Sequence, residues 1–159
     1  MKLGILSDSH GRVALVRRAL LTLEGAGAEA FVHCGDVGGL DALDELAGRR
    51  CWFVWGNSED PRPSWRAHVE ALGLTWPEEP VEITIHHKRI GVYHGHERGF
   101  HEALRDCRYD YLLHGHTHQY DDYREGRMRV INPGALHRAS VRTVALLDVA
   151  ADDLRFLEL

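Results

Sequence analysis

Five polar clusters interrupt the sequence, each directly after an apolar run: Asp8-Ser9-His10 after LGIL, Asp36 after FVHCG, Asn57 after CWFVWG, His94-Gly95-His96 after RIGVY, and His116-Thr117-His118 after DYLLHG. They offer carboxylates, imidazoles and one amide oxygen, but no thiolate. Such a mixed nitrogen and oxygen set suits Mn, Fe, Zn, Co or Ni better than Ca or a cysteine-bound zinc. Taken singly, each cluster has an ordinary explanation. Asp8 could cap a helix, Gly35-Asp36 is a turn signal, Asn57 after Gly56 suits a turn with positive φ, and a lone His94 or His116 is more often a satisfied core histidine. The pair His116 and His118 is stronger, because residues two apart on an extended segment face opposite ways unless the backbone turns. Seven metal-competent residues in order at successive strand ends are poorly explained by five unrelated accidents.

The elements that must position these residues can be read from hydropathy. KLGIL at 2–6 is a short strand, and Val13, Val16, Leu20 and Leu23 mark one face of a helix that stops near Gly25 and Gly27. The alternation continues with AFVHCG at 30–35, a helix near 39–47, and CWFVWG at 51–56, giving βαβαβ with strands buried on both faces. Segment 61–80 is proline-rich around an amphipathic stretch from Trp65 to Leu72. VEITI and RIGVYH read as strands joined by a tight turn, followed by a helix near 98–107 and the strand DYLLHG. The tail, HQYDDYREG, RMRVIN, SVRTVALLDV and DLRFLEL, resembles an antiparallel meander. A layered α/β domain is the economical reading. In such folds ligands bind at the carboxyl ends of strands, so the five clusters would converge.

A chain of 159 residues has room for one domain, 1–159. No apolar run approaches a bilayer span, and LGIL is cut short by Asp8, His10 and Arg12 before it could form a signal-peptide core, so the expected location is cytoplasmic and off the membrane. Cys34, Cys51 and Cys107 form no C-x-x-C pair and are odd in number, which excludes a disulfide framework and fits a reducing compartment. A net charge of -5 with dispersed arginines argues against a nucleic-acid module. Small anionic ligands remain open where cations gather locally.

With its signature Asp8-Ser9-His10, Gly35-Asp36, Gly56-Asn57-Ser58-Glu59, His94-Gly95-His96, Gly115-His116-Thr117-His118 and Asn132-Pro133-Gly134, the chain resembles the calcineurin-like metallophosphoesterases, in particular their small single-domain bacterial and archaeal phosphodiesterase branch. The resemblance implies a two-sheet β-sandwich flanked by helices, with two divalent transition metal ions, Mn favoured, across the strand ends. By family position Asp8, His10 and His118 would hold one ion, Asn57, His94 and His116 the other, and Asp36 would bridge them. The chemistry suits these residue types. A bridging carboxylate gives one oxygen to each of two cations about 3.5–4 Å apart, and a water shared between them becomes hydroxide near neutral pH. That hydroxide would attack a small phosphodiester, while the cations stabilise charge that a basic face would otherwise have to meet. Asp36, Asn57 and His96 are the catalytic candidates, His96 as a hydrogen-bond donor to a phosphate oxygen or the leaving group.

One departure from the family matters. Relatives active on phosphomonoesters often carry His directly after the ligand Asn, where this chain has Ser58, far too weak an acid to replace an imidazolium. The alternatives are a phosphomonoesterase on the same site, or a non-catalytic protein-binding scaffold like the retromer subunit that resembles this family. The full set of ligands favours the enzyme. Asn132-Pro133-Gly134 reads as a rigid turn near the site, the 61–80 aromatics as a substrate rim or a homo-oligomer contact, and His33 and His68 belong to no site.

Overall fold

Three short strands, β1 (Lys2–Leu6), β2 (Ala30–His33) and β3 (Cys51–Phe53), pair in parallel, with Leu3 opposite Ala30 and Phe31 opposite Cys51. Parallel neighbours need crossovers, and α1 (Val13–Gly25) and α2 (Leu40–Asp44) supply them. The computed structural model describes residues 1–78 and 80–159; of the segment 61–80, position 79 lies outside the described residues. The rest of that segment holds a single 3₁₀ turn, Pro63–Trp65, and α3 (Arg66–Ala71). β4 (Val81–Ile85) and β5 (Lys88–Val92) form the expected hairpin, turned by His86 and His87, both at positive φ as a two-residue primed turn requires. α4 (Arg98–Arg105) then returns the chain to β6 (Tyr111–Leu113), parallel to β5.

The tail is where the expectation fails. β7 (Tyr120–Glu125) and β8 (Met128–Pro133) are antiparallel to each other, as are β9 (Thr143–Asp148) and β10 (Asp153–Glu158), but the two hairpins lie in different sheets. One sheet has the order β10-β9-β1-β2-β3, the other β4-β5-β6-β8-β7. There is no four-stranded meander, because the chain leaves β8 at Asn132-Pro133-Gly134 and crosses to pair β9 with β1. Alternation within one strand says which face is buried and nothing about which strand lies alongside. β7 is exposed along its whole length and carries Asp121, Asp122, Arg124 and Glu125, the charged character of an edge strand.

Period-two alternation builds the layers. Leu3, Ile5, Ala30 and Val32 point between the sheets, where they meet Ile90, Val92, Tyr111, Leu113 and Ile131. Leu6 and Phe31 point outward against Val16, Leu20 and Leu23 of α1. Leu112 and Val130 point outward on the other side, under Phe100 and Ala103 of α4. The result is the expected two-sheet α/β sandwich with helices on both outer faces. No helix among the described residues is long and apolar enough to cross a membrane.

Candidate metal centre

The strands stop where the polar clusters begin, but their pairing continues into the loops. Asp8 N donates to Gly35 O at 3.0 Å, His10 N to Asp36 O at 2.8 Å, and Gly115 N to His94 O at 2.8 Å. Backbone ladders therefore draw the Asp8 loop to the Asp36 loop and the His94 loop to the His116 loop. Asp8, His10, Asp36, His116 and His118 all have φ between 45° and 71°, the left-handed region that ordinary residues avoid. Each such residue costs on the order of 1 kcal/mol, and strain gathered in this way marks a functional site. For the His116 and His118 pair it is the backbone turn that the spacing demanded. Neither ordinary reading of Asp8 and Asn57 holds. The residue capping α1 is Arg12, without a side-chain bond, and Asn57 is not among the positive-φ residues.

Four side chains, Asp8, His10, Asp36 and His118, place one donor atom each within 4.8 Å of one another. His118 Nε2 lies 3.2 Å from Asp8 Oδ1, His10 Nε2 3.5 Å from Asp36 Oδ2, and the two Nε2 atoms 3.5 Å apart. A second group adjoins it: His94 Nε2 is 3.1 Å from Asn57 Oδ1 and 3.4 Å from Asp36 Oδ1, and the His94 and His116 rings are 5.0 Å apart. Asp36 thus turns Oδ2 to one group and Oδ1 to the other. His96 stands on the rim, exposed, its ring 5.4 Å from His94 and 6.0 Å from His116, outside the donor groups.

The donor set fits cations better than it fits itself. Asp8 Oδ1 is buried and accepts no hydrogen bond, although His118 Nε2 is close. His94 Nδ1 donates to Cys34 O at 2.8 Å, which leaves its Nε2 as the lone-pair nitrogen facing two oxygens. Only a proton or a metal cation on that nitrogen reconciles the contact. Burial opposes a charge on His94, but Asp36, Cys34 O and Asp8 outweigh it and raise its pKa to about 9. Burial likewise pushes Asp36 up, yet hydrogen bonds from His94 and Ser58 hold it well below the usual carboxylate range. Burial lowers His10 and His116, which keeps their ring nitrogens available.

Several residues that hold the loops were not assigned from sequence. Glu59 accepts from Gly38 N at 2.7 Å and Gly56 N at 2.6 Å, tying the Asp36 loop to the Asn57 loop. Glu97 accepts from His94 N and Gly95 N, both at 2.7 Å. Asn132 donates to Gly115 O and Thr117 Oγ1 and accepts from Gly134 N, so the expected rigid turn also fixes the His116 loop. His33 stands outside the donor groups yet is not idle: it is fully buried and bonded to Ser9 Oγ at 2.9 Å. Because the Ser9 hydroxyl donates to Val37 O, His33 must donate through Nε2, and it supports the Asp8–His10 loop from below. His68 pairs with Asp44 at 2.7 Å on the surface, apart from the centre, as expected. A histidine ending a buried strand was the available signal for His33, whereas nothing in the spacing distinguished Glu97.

Comparison with known proteins points the same way. The calcineurin-like phosphoesterase superfamily domain model matches residues 1–152. A phosphodiesterase of Methanocaldococcus jannaschii is 25% identical over 163 residues, spanning 98% of this chain and 97% of that protein. The solved structure of an archaeal phosphodiesterase superposes with a TM-score of 0.87 at 24% identity, over 100% of both chains. Vps29 of Entamoeba histolytica in complex with zinc superposes with a TM-score of 0.68 at 20% identity, over 100% of this chain and 98% of the other.

Proposed function

The chain belongs to the calcineurin-like phosphoesterase superfamily, and we propose that it is a phosphodiesterase of that family, a single domain that hydrolyses small phosphodiesters with two divalent cations. The observation that carries this reading is Asp36, whose two oxygens are divided between the His10 and His94 groups. Asp8, His10 and His118 would hold one cation, Asn57, His94 and His116 the other, and Asp36 both. Bound there, the cations supply Lewis acidity and a water acidified to hydroxide near neutral pH. The mixed carboxylate, imidazole and amide set suits divalent transition metals, Mn as the family resemblance implies, with Fe, Zn, Co or Ni as alternatives.

The chain's own residues do the positioning. Ser58 N donates to Asp36 Oδ1 at 3.0 Å and fixes the orientation of the bridging carboxylate. The Ser58 hydroxyl is directed to Glu59 Oε1 at 3.4 Å, so position 58 offers no acid to a leaving group. His96, on the rim with its Nδ1 3.6 Å from Glu97 Oε2, would use Nε2 to donate to a phosphate oxygen. With no strong acid in place, diesters with good leaving groups are the favoured substrates over alkyl monoesters. The three free cysteines fit a cytoplasmic setting.

The test is an activity screen of Mn-loaded protein against aryl and nucleotide diesters and monoesters, with elemental analysis of bound metal. Hydrolysis of bis(p-nitrophenyl) phosphate with about two equivalents of metal supports the reading. Full activity in excess chelator, or preference for unactivated monoesters, overturns it.

A further inference from the structure

The two sheets end in four edge strands, and three of them are guarded by charge. β10 carries Asp153, Arg155 and Glu158, β4 carries Glu82, and β7 carries Asp121, Asp122, Arg124 and Glu125. β3, Cys51-Trp52-Phe53, has no charged residue. Its backbone is also only half used. Phe31 N donates to Arg50 O and Val54 N to His33 O, so in the parallel register the N–H and C=O of Trp52 face β2, while those of Cys51 and Phe53 face the open edge. Among the described residues these four groups have no hydrogen-bond partner. Phe53 is only 2% exposed, so its N–H and C=O are withdrawn from bulk water with nothing in return, which folded chains rarely tolerate.

These groups open onto a groove. Cys51, Trp52 and Phe53 line a cavity of about 580 Å³, well within the range of ligand sites. Leu74 and Trp76, packed on the core under α1, and Val81, packed on the core between the sheets, supply apolar walls. The lining carries three carboxylates, Glu70, Glu78 and Glu82, against one guanidinium, Arg66. Arg66 is shared between Glu70 at 3.6 Å and Glu78 at 3.7 Å, both beyond hydrogen-bond length. Glu82 is met by Arg89 at 3.6 Å, and Arg50 lies over the Trp52 ring at 5.2 Å, both from outside the lining. An uncharged strand edge is thus flanked by apolar walls and an excess of carboxylate.

We propose that the β3 edge is a docking site for an extended segment of a partner protein, added to the sheet beside β3 and carrying Lys or Arg between apolar residues. The backbone of the added strand pairs with the N–H and C=O of Cys51 and Phe53, its apolar side chains meet Leu74, Trp76 and Val81, and its basic side chains meet Glu70 and Glu78. A second copy of this chain is the poorer occupant, because its β7 and β10 edges would bring Asp121, Asp122, Asp153 and Glu158 against an acidic wall. Docking here does not depend on the phosphodiesterase reading, since none of the proposed metal ligands lines the groove.

The experiment titrates the ¹⁵N-labelled chain with acetylated, amidated hexapeptides in which Lys alternates with Val, Leu or Phe, and with counterparts bearing Glu in place of Lys. A peptide of the Lys series is expected to bind about tenfold or more tighter than its Glu counterpart, more weakly as salt is added, and to slow amide exchange at Cys51 and Phe53. Cys51→Pro removes an N–H that pairs with nothing in the sheet and sets a ring on the edge, so it abolishes binding while the ladder to β2 stays whole. A Glu70→Lys, Glu78→Lys double variant reverses the preference between the two series, and decides the matter should Cys51→Pro fail to fold. The site is refuted if no peptide of the Lys series binds, if the two series bind alike, or if a bound peptide leaves exchange at Cys51 and Phe53 unchanged. Self-association of the peptide-free chain that Cys51→Pro abolishes would overturn the partner in favour of a second copy.

Discussion

Gly56 precedes Asn57, one of the proposed ligands, and its function is closeness rather than backbone freedom. Its φ is not positive, yet a Cβ built on it would collide with Asp36 N and Oδ1. Asp36 Oδ1 and N would both fall far inside the 3.0 Å that real Cβ contacts respect, so the carboxyl must withdraw by about 1 Å or more. The backbone at 56 cannot yield easily, because Gly56 N is held by Glu59 at 2.6 Å. Gly56→Ala therefore moves the carboxylate that both donor groups share. A misplacement approaching 1 Å costs on the order of 100-fold in rate, and disturbing a ligand's support costs about 10–100-fold in metal affinity. The assay is Mn titration by calorimetry together with kcat/KM on bis(p-nitrophenyl) phosphate. Gly25→Ala is the control: no atom lies within 4 Å of the place its methyl group would take, so it should leave both quantities unchanged and raise stability by about 0.5 kcal/mol. A Gly56→Ala protein that binds Mn and turns over like the wild type would refute the close-approach argument.

Three further outcomes are expected. Asp36→Ala or His116→Ala should lose far more activity than His68→Ala, whose ring pairs with Asp44 on the surface; equal losses in a parallel kinetic series would contradict the site. Ser58→His should raise the monoester-to-diester ratio of kcat/KM by about tenfold or more by adding an acid beside Asp36, and an unchanged ratio would show that position 58 does not reach the leaving group. The third concerns His33, whose pKa burial lowers to about 3 from 6.5. Between those values the unfolded chain binds a proton that the folded one refuses, so stability falls as pH drops below 6.5 and the loss ends near 3. By pH 4.5 this amounts to about 2.5 kcal/mol. Urea unfolding of metal-free wild type and His33→Asn at pH 7 and pH 4.5 should differ in pH dependence by roughly that amount; parallel dependences would count against a buried neutral His33.

The donor residues and the alternation of elements were legible because both are local. A ligand must sit where a strand ends, and a strand ends where apolar residues give way to Asp8, Asp36 or His94. The paths of β8 and β9 were not legible, since Val130 or Ala145 would satisfy its burial beside any apolar neighbour. Partnership is decided instead by the crossing after Pro133, where Gly134, at φ 85°, packs against Thr143. The same limit hid Glu97 and the role of Glu59. Each is a charged loop residue by composition, and only the folded chain shows its carboxylate receiving two backbone N–H groups. His33 was hidden differently, because a histidine at a strand end reads as a ligand or as nothing, and its bond to Ser9 runs between segments 24 residues apart.

The strain and the tethers belong to one device. Left-handed backbone at Asp8, Asp36 and His116 turns donor atoms toward a common point, and a loop free to relax would turn them away again. Relaxation is blocked by bonds made outside the donor groups: His33 through Ser9, Glu59 across the Asp36 and Asn57 loops, Glu97 under His94, and Asn132 under Gly115 and Thr117. Buried hydrogen-bonded polar groups rigidify their surroundings, and here that rigidity keeps Asp8 Oδ1 and His94 Nε2 in positions that protein partners alone leave unsatisfied. Preorganisation of this kind does its work before any ligand arrives. Loss of a tether such as Glu97 should therefore weaken metal binding while every donor remains in the sequence.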